Sequence, residues 1–105
     1  MSEGIKYDGG KRRWDLVPFE CLDALADIFT FGAAKYSANS WQQLDDFDNR
    51  YFAAILRHLS AWRQGEWLDP ESLCPHLAHA MWGCCALLWR GLRSREKSEE
   101  MKRAG

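Results

Sequence analysis

Residues 50–80 read RYFAAILRHLSAWRQGEWLDPESLCPHLAHA, and the spacing of their apolar residues decides the fold. From Asn49 to about Gln64, Phe52, Ile55, Leu59 and Trp62 fall at i, i+3, i+7 and i+10, which predicts a helix with a buried stripe. Tyr51, Ala54, His58 and Ala61 form the neighbouring strip and place His58 at the margin of the core. Gly65 is a helix-ending residue. Asp69-Pro70-Glu71-Ser72 has the order of a helix start, with Asp as cap and Pro at the first position. Cys74-Pro75 then restarts the chain almost at once, so a short separate turn is expected before a long helix from about Pro75 to near Arg95.

On that long helix Leu77, Met81, Cys84 and Leu88 predict one buried stripe. His76, His79, Gly83 and Ala86 form another face, small enough to let a neighbouring helix approach. Between Leu77 and Trp89 the helix is apolar on nearly every side. A chain of 105 residues cannot readily bury all of that, so part of it is expected in a subunit interface.

Upstream, Pro18 opens a further amphipathic helix carrying Phe19, Leu22, Leu25, Ala26, Ile28 and Phe29, with Glu20 and Asp23 near its positive end. Gly32 predicts a bend or a close helix contact, with helix continuing to Tyr36. Ser37–Ser40 reads as a loop and Trp41 as a plug. Asp45, Asp46 and Asp48 favour the N-terminus of the central helix. Residues 1–17 form an extended arm with a turn at Asp8-Gly9-Gly10 and two anchors, Trp14 and Leu16. Lys6, Lys11, Arg12 and Arg13 around those glycines either pin a simple arm or cradle phosphate. From Arg93 onward, RSREKSEEMKRAG is a solvated helical tail.

β-Branched residues are scarce, and no strand pattern emerges. The fold class expected is all-α: one domain over residues 1–105, with the arm at 1–17, a helical core at 18–92 and the charged tail at 93–105. Six tryptophans call for an aromatic-rich interior or interface, and a net charge of −1 points to neither nucleic acid nor an anionic membrane. The four cysteines include no CxxC pair, and no signal-peptide pattern is seen, so a reducing cytoplasmic setting is expected. The longest apolar run, Ala80 to Trp89, is about half of the ~20 residues a membrane span needs.

The chemistry-bearing residues gather at the joint between the central and the long helix. Carboxylates at Glu66, Asp69 and Glu71 could hold Mg²⁺, which prefers oxygen ligands; they could equally be a cap, a dipole partner and a solvated acid. His76 and His79 share a helical face, with His58 opposite on the partner helix. They could bind metal or phosphate, or one could act as a general base; the alternative is hydrogen-bonded core imidazoles. Lys35 at a helix end is a cap or a phosphate ligand.

Five segments in order, KYDGGKRRWDLVP (6–18), FGAAKYSANSW (31–41), RYFAAILRHLSAWRQGE (50–66), DPES (69–72) and PHLAHA (75–80), carry a resemblance over roughly residues 5–90. The chain resembles small phage-encoded proteins described as dATP/dGTP diphosphohydrolase N-terminal domains, related to the MazG-like all-α nucleoside triphosphate pyrophosphohydrolases. The resemblance implies a homo-oligomeric all-α domain that uses Mg²⁺ to cleave a purine deoxynucleoside triphosphate to the monophosphate and pyrophosphate. It also departs from that pattern. MazG-like enzymes carry ExxE on one helix and ExxD on the next, whereas the central helices here contain no ExxE. Glu66-Trp67-Leu68-Asp69 reads as ExxD but straddles a helix end.

On this reading Glu66, Asp69 and Glu71 are expected to hold Mg²⁺, and Glu66, His58, His76 or His79 to position water or phosphate. Lys11, Arg13, Lys35 and Arg57 would neutralise the triphosphate, and Tyr36 or Trp41 would stack on the base. The alternative is a non-catalytic protein that sequesters a nucleotide or a nucleotide-derived signal.

Overall fold

A computed structural model describes residue 5 and residues 9–104; Lys6 and Asp8 lie outside the described residues. Among the described residues the chain is all-α, with α1 at Phe19–Lys35, α2 at Phe47–Arg63 and α3 at His76–Ala104. Two short 3₁₀ turns, Trp14–Leu16 and Ser40–Gln43, precede α1 and α2.

Local chemistry sets most boundaries. Pro18 is extended (φ −63°, ψ 124°) and forms the cap of α1, with Glu20 in the first turn and Lys35 in the last, as the helix dipole favours. Asp46 caps α2 from the left-handed region (φ 53°), and its carboxylate accepts from the Asn49 side chain at 3.0 Å. At the other end of α2, Gly65 adopts φ +102°, a conformation costly for any residue with a Cβ. Gly65 N–H donates to Trp62 O and Glu66 N–H to Ala61 O, each at 3.0 Å, the paired bonds of a Schellman stop.

The joint between α2 and α3 is a closed loop, in which the expected start at Asp69-Pro70-Glu71-Ser72 amounts to a single capped turn. Leu68 and Pro75 form an antiparallel bridge. Asp69 N–H donates to Cys74 O at 2.8 Å, Leu73 N–H to Asp69 O at 2.8 Å and His76 N–H to Trp67 O at 3.0 Å. Asp69 still behaves as a cap, but of a turn: its carboxylate accepts from Ser72 N–H at 2.9 Å. The bond from Leu73 N–H to Asp69 O spans i to i+4, so the expected short separate turn forms here before Pro75 releases the chain into α3.

α2 packs along α3, and α1 lies against α3 more sparingly. A Cβ at Gly83 would overlap Ile55 Cγ1, so glycine is what lets α2 and α3 approach there. Trp41 plugs the bundle as expected: its ring meets Phe29, Trp82 and Trp89 edge-on at 5.9, 5.7 and 4.9 Å. Such pairs add about 0.5–1.5 kcal/mol each beyond buried area.

Several predicted core positions face outward instead. Ile55 is buried, but Phe52 is 55% exposed and Leu59 and Trp62 are exposed as well. The face of α2 that meets the core is the adjacent strip through Phe47, Tyr51, Ala54, Ile55 and His58. On α3, Leu88 is 62% exposed and Cys84 is exposed, while His76, Ala80 and Gly83 are buried. On α3 small residues face the neighbour and Leu88 is left outside, while on α2 Phe47, Tyr51 and Ile55 face inward and Phe52, Leu59 and Trp62 are left outside. Trp14 and Leu16, each 68% exposed, do not anchor the arm to this chain's core, and Gly32 makes no close helix contact.

Candidate functional site

The Schellman stop, the closed loop and the first turns of α3 bring all three histidines together. His58 Nδ1, from α2, lies 2.8 Å from His76 Nδ1, and His76 Nε2 lies 2.6 Å from Glu66 Oε1. With a carboxylate at Glu66, which can only accept, His76 Nε2–H is the donor. When both rings are neutral, His76 Nδ1 then accepts from His58 Nδ1–H, and His58 Nε2 keeps its lone pair. His79 stacks on His58 with centroids 4.4 Å apart and planes inclined by 7°.

A second chain of hydrogen bonds fixes His79. Ser72 Oγ is 2.7 Å from His79 Nε2 and 2.9 Å from Asp69 Oδ2. A hydroxyl has one proton to give, and Asp69 can only accept. The order His79 Nε2–H to Ser72 Oγ, Ser72 Oγ–H to Asp69 Oδ2 uses each donor once and leaves His79 Nδ1 as the unprotonated nitrogen.

The electrostatics favour neutral imidazoles. Burial, then the neighbouring His79 and His76, lowers the His58 pKa from 6.5 to about 4. Burial also lowers that of His79, against the opposing pull of Asp69. For Asp69, burial pushes the carboxyl up, but the Ser72 N–H and hydroxyl and the two histidines bring it below its usual range.

These groups form one end of a cleft of about 630 Å³ lined by the C-terminal half of α1, the Tyr36–Leu44 connection, α2 and the start of α3. Of the residues expected in a site, Lys35, Tyr36, Trp41, His58, Asp69, Glu71 and His79 all line it. Lys35 Nζ bonds Glu71 Oε2 at 2.5 Å, which raises its pKa, and lies 5.2 Å from the Tyr36 ring centre. His76 sits behind this wall, 4% exposed.

Other expected residues lie elsewhere. Arg57 and Glu66 border a separate open groove with Ser60 and Gln64. Arg13 is paired with Asp15 at 2.7 Å in the exposed arm, and Lys11 is exposed there too. The cleft also contains residues that the sequence did not single out: Arg50, Tyr51 and Trp82. Tyr51 precedes His58 by seven residues, two helical turns, and both line the cleft. That spacing was a usable signal for the cleft face of α2. Ser72, the link between His79 and Asp69, was visible only as part of an Asp-x-x-Ser turn.

The three carboxylates expected to share Mg²⁺ are handed to three different partners: Glu66 to His76, Asp69 to Ser72, and Glu71 to Lys35. An all-oxygen Mg²⁺ site does not fit that arrangement. Among the described residues, the side chains close enough to share a metal ion are His58, Asp69 and His76, whose ligand atoms lie within 4.8 Å of one another.

Residues 1–100 match the family model described as dATP/dGTP diphosphohydrolase, N-terminal. No curated protein and no solved structure matches the chain.

Proposed function

We propose that this chain, which belongs to the dATP/dGTP diphosphohydrolase N-terminal family, binds a purine deoxynucleoside triphosphate in the cleft and hydrolyses it to the monophosphate and pyrophosphate. The observation that carries this reading is one cleft holding both cations, Lys35 and Arg50, and the hydrogen-bonded His79–Ser72–Asp69 chain beside Tyr36 and Trp41.

Water attacks the α-phosphorus, and the bond to the bridging oxygen of the β-phosphate breaks. His79 Nδ1 takes the water's proton, while Ser72 and Asp69 hold the ring in the required tautomer. His58, stacked beneath, fixes the plane of that ring. Lys35 and Arg50 neutralise charge on the triphosphate and the departing pyrophosphate. Tyr36 and Trp41 offer ring surface to the base. Because the three carboxylates diverge, no step is assigned to Mg²⁺.

That divergence favours a second reading, a protein that holds the nucleotide without cleaving it. Purified protein incubated with each dNTP and a divalent cation separates the two. Pyrophosphate release from dATP or dGTP supports the hydrolase; tight binding with the nucleotide recovered intact supports sequestration. Neither turnover nor binding with any dNTP sinks both.

The functional unit is proposed to be an assembly of identical chains. The surface of one chain is 8611 Å², against about 6,100 Å² for a compact 12.2 kDa monomer. Its radius of gyration is 18.1 Å, against about 13 Å for a compact domain of this length. The excess, about 2,500 Å², is the scale of an obligate interface. Phe52, Leu56 and Leu59 on α2, with Leu88 and Leu92 on α3, supply exposed apolar surface for it. No helix among the described residues is long and apolar enough to cross a membrane. The cytoplasm of an infected cell, where the dNTP pool lies, is the proposed location.

A further inference from the structure

Beyond the hydrolase reading, and independent of it, the geometry points to a transition-metal site: His58, Asp69 and His76 bind one divalent ion of the zinc class, with Glu66 as the outer carboxylate that orients His76.

The donor set speaks first. Two imidazole nitrogens and one carboxylate oxygen suit zinc, cobalt or nickel better than magnesium, which seeks an all-oxygen shell. The three ligand atoms already lie within 4.8 Å of one another. Four-coordinate zinc with bonds of about 2.0–2.1 Å places its donors roughly 3.3 Å apart. The 2.8 Å between the two Nδ1 atoms therefore needs to widen by about half an ångström and the Asp69 oxygen to close in by up to about 1.5 Å, changes that side-chain rotation can supply.

The second observation is the hydrogen bond behind His76. A metal-binding histidine characteristically donates its other ring N–H to a carboxylate, which fixes the tautomer and aims the lone pair at the metal. His76 is 4% exposed, and its Nε2 is held by Glu66 at 2.6 Å, so its free lone pair is at Nδ1, facing His58. A divalent ion would replace the proton now shared between the two Nδ1 atoms. For this, His58 shifts to its Nε2–H tautomer with no net release of a proton.

The third is Asp69. Both of its contacts with Ser72 use Oδ2, and among the described residues Oδ1 accepts no hydrogen bond. One carboxylate can thus keep the loop closed and still ligate. The site sits at the cleft wall, with Asp69 and His58 reaching the cleft and His76 behind them. Water or a phosphate oxygen can complete the coordination.

The test uses the full chain stripped with chelator, then titrated with Zn²⁺ by calorimetry and with Co²⁺ by visible absorption. The expected result is one ion per chain, with a Co²⁺ spectrum typical of low coordination and no comparable uptake of Mg²⁺. His58→Gln and Asp69→Asn should abolish the stoichiometric phase. Glu66→Gln should weaken it about 10–100-fold, the usual cost of losing such an outer carboxylate. His76→Ala is a poorer probe because that ring is buried, so helicity is measured on every variant. Absence of stoichiometric Zn²⁺ or Co²⁺ binding by the folded wild-type chain overturns the proposal. Binding that survives both His58→Gln and Asp69→Asn but is lost in Cys74→Ser overturns it equally, because the ion would then be held by thiolate.

Discussion

His58 Nδ1 stands 2.8 Å from His76 Nδ1, with two like groups from different helices sharing one hydrogen-bond position. Such a contact needs a single proton between the rings, and it disfavours protonation of both facing nitrogens. It ties α2 to the first turn of α3 and makes the joint sensitive to acid.

Acid should therefore loosen the metal-free protein as His58 is driven to protonate. His58 has a pKa of 6.5 when unperturbed and about 4 in the fold. The lowered value means that the unfolded chain takes up the proton first as pH falls. The contribution is fully present above about pH 6.5 and is lost as pH drops towards 4, with His79 acting in the same direction. Thermal melts in chelator at pH 8, 6 and 5 should show a falling midpoint, and His58→Gln should flatten that slope. An unchanged slope in the variant would assign the acid response to other groups.

At the helix crossing, Gly83→Ala forces a methyl group against Ile55. Overpacking of this kind costs about 1–3 kcal/mol, measured by urea unfolding at fixed protein concentration. Ile55→Ala alone should cost about 2–5 kcal/mol through the cavity it leaves. Combined, the two should cost less than their sum, because the added methyl fills part of the space vacated. Strict additivity would show that α2 and α3 have slid apart.

The all-α class was legible because period and punctuation agree: Pro18, the aspartates before α2, Gly65 and Pro75 all mark real boundaries. Which face of each helix turns inward was not. Phe52, Leu59, Trp62 and Leu88 are the stronger hydrophobes, yet Ala78, Ala80, Gly83 and Ala86 are buried, because close helix approach selects for small volume and not for hydrophobicity alone. In the site, the histidines could be grouped from their helical positions. Ser72 could not, since the closed loop has no periodicity to read, and Arg50, although on α2, is paired by helical spacing with Arg57, which faces a different groove.

Ser72 gives a direct test of the assigned tautomer. Ser72→Ala removes the hydroxyl between His79 and Asp69 and leaves the backbone N–H bond of the turn in place. Stability should fall by about 1–3 kcal/mol, because the hydroxyl bonds Asp69, His79 and Cys74 N–H and its loss leaves part-buried polar groups unpaired. Turnover, if His79 is the base, should fall far more than binding does. Equal losses in kcat and affinity would make Ser72 a loop staple only.

Lys35 and Arg57 make opposite predictions although both were plausible phosphate ligands from sequence. Lys35 lines the cleft beside Tyr36, whereas Arg57 borders a different groove on the outer side of α2. Lys35→Ala should raise KM or Kd for a purine dNTP at least about tenfold, since each phosphate contact by a charged group is worth roughly 1.5–3 kcal/mol. Arg57→Ala should leave both near wild type. Glu71 holds Lys35 in an exposed ion pair, which contributes little to stability and competes with phosphate for the ammonium. Glu71→Ala is thus expected to tighten nucleotide binding, or at least not weaken it, in an isothermal titration. If instead Glu71→Ala weakens binding as much as Lys35→Ala, then Glu71 serves to position Lys35 for the triphosphate and the two side chains act as one unit.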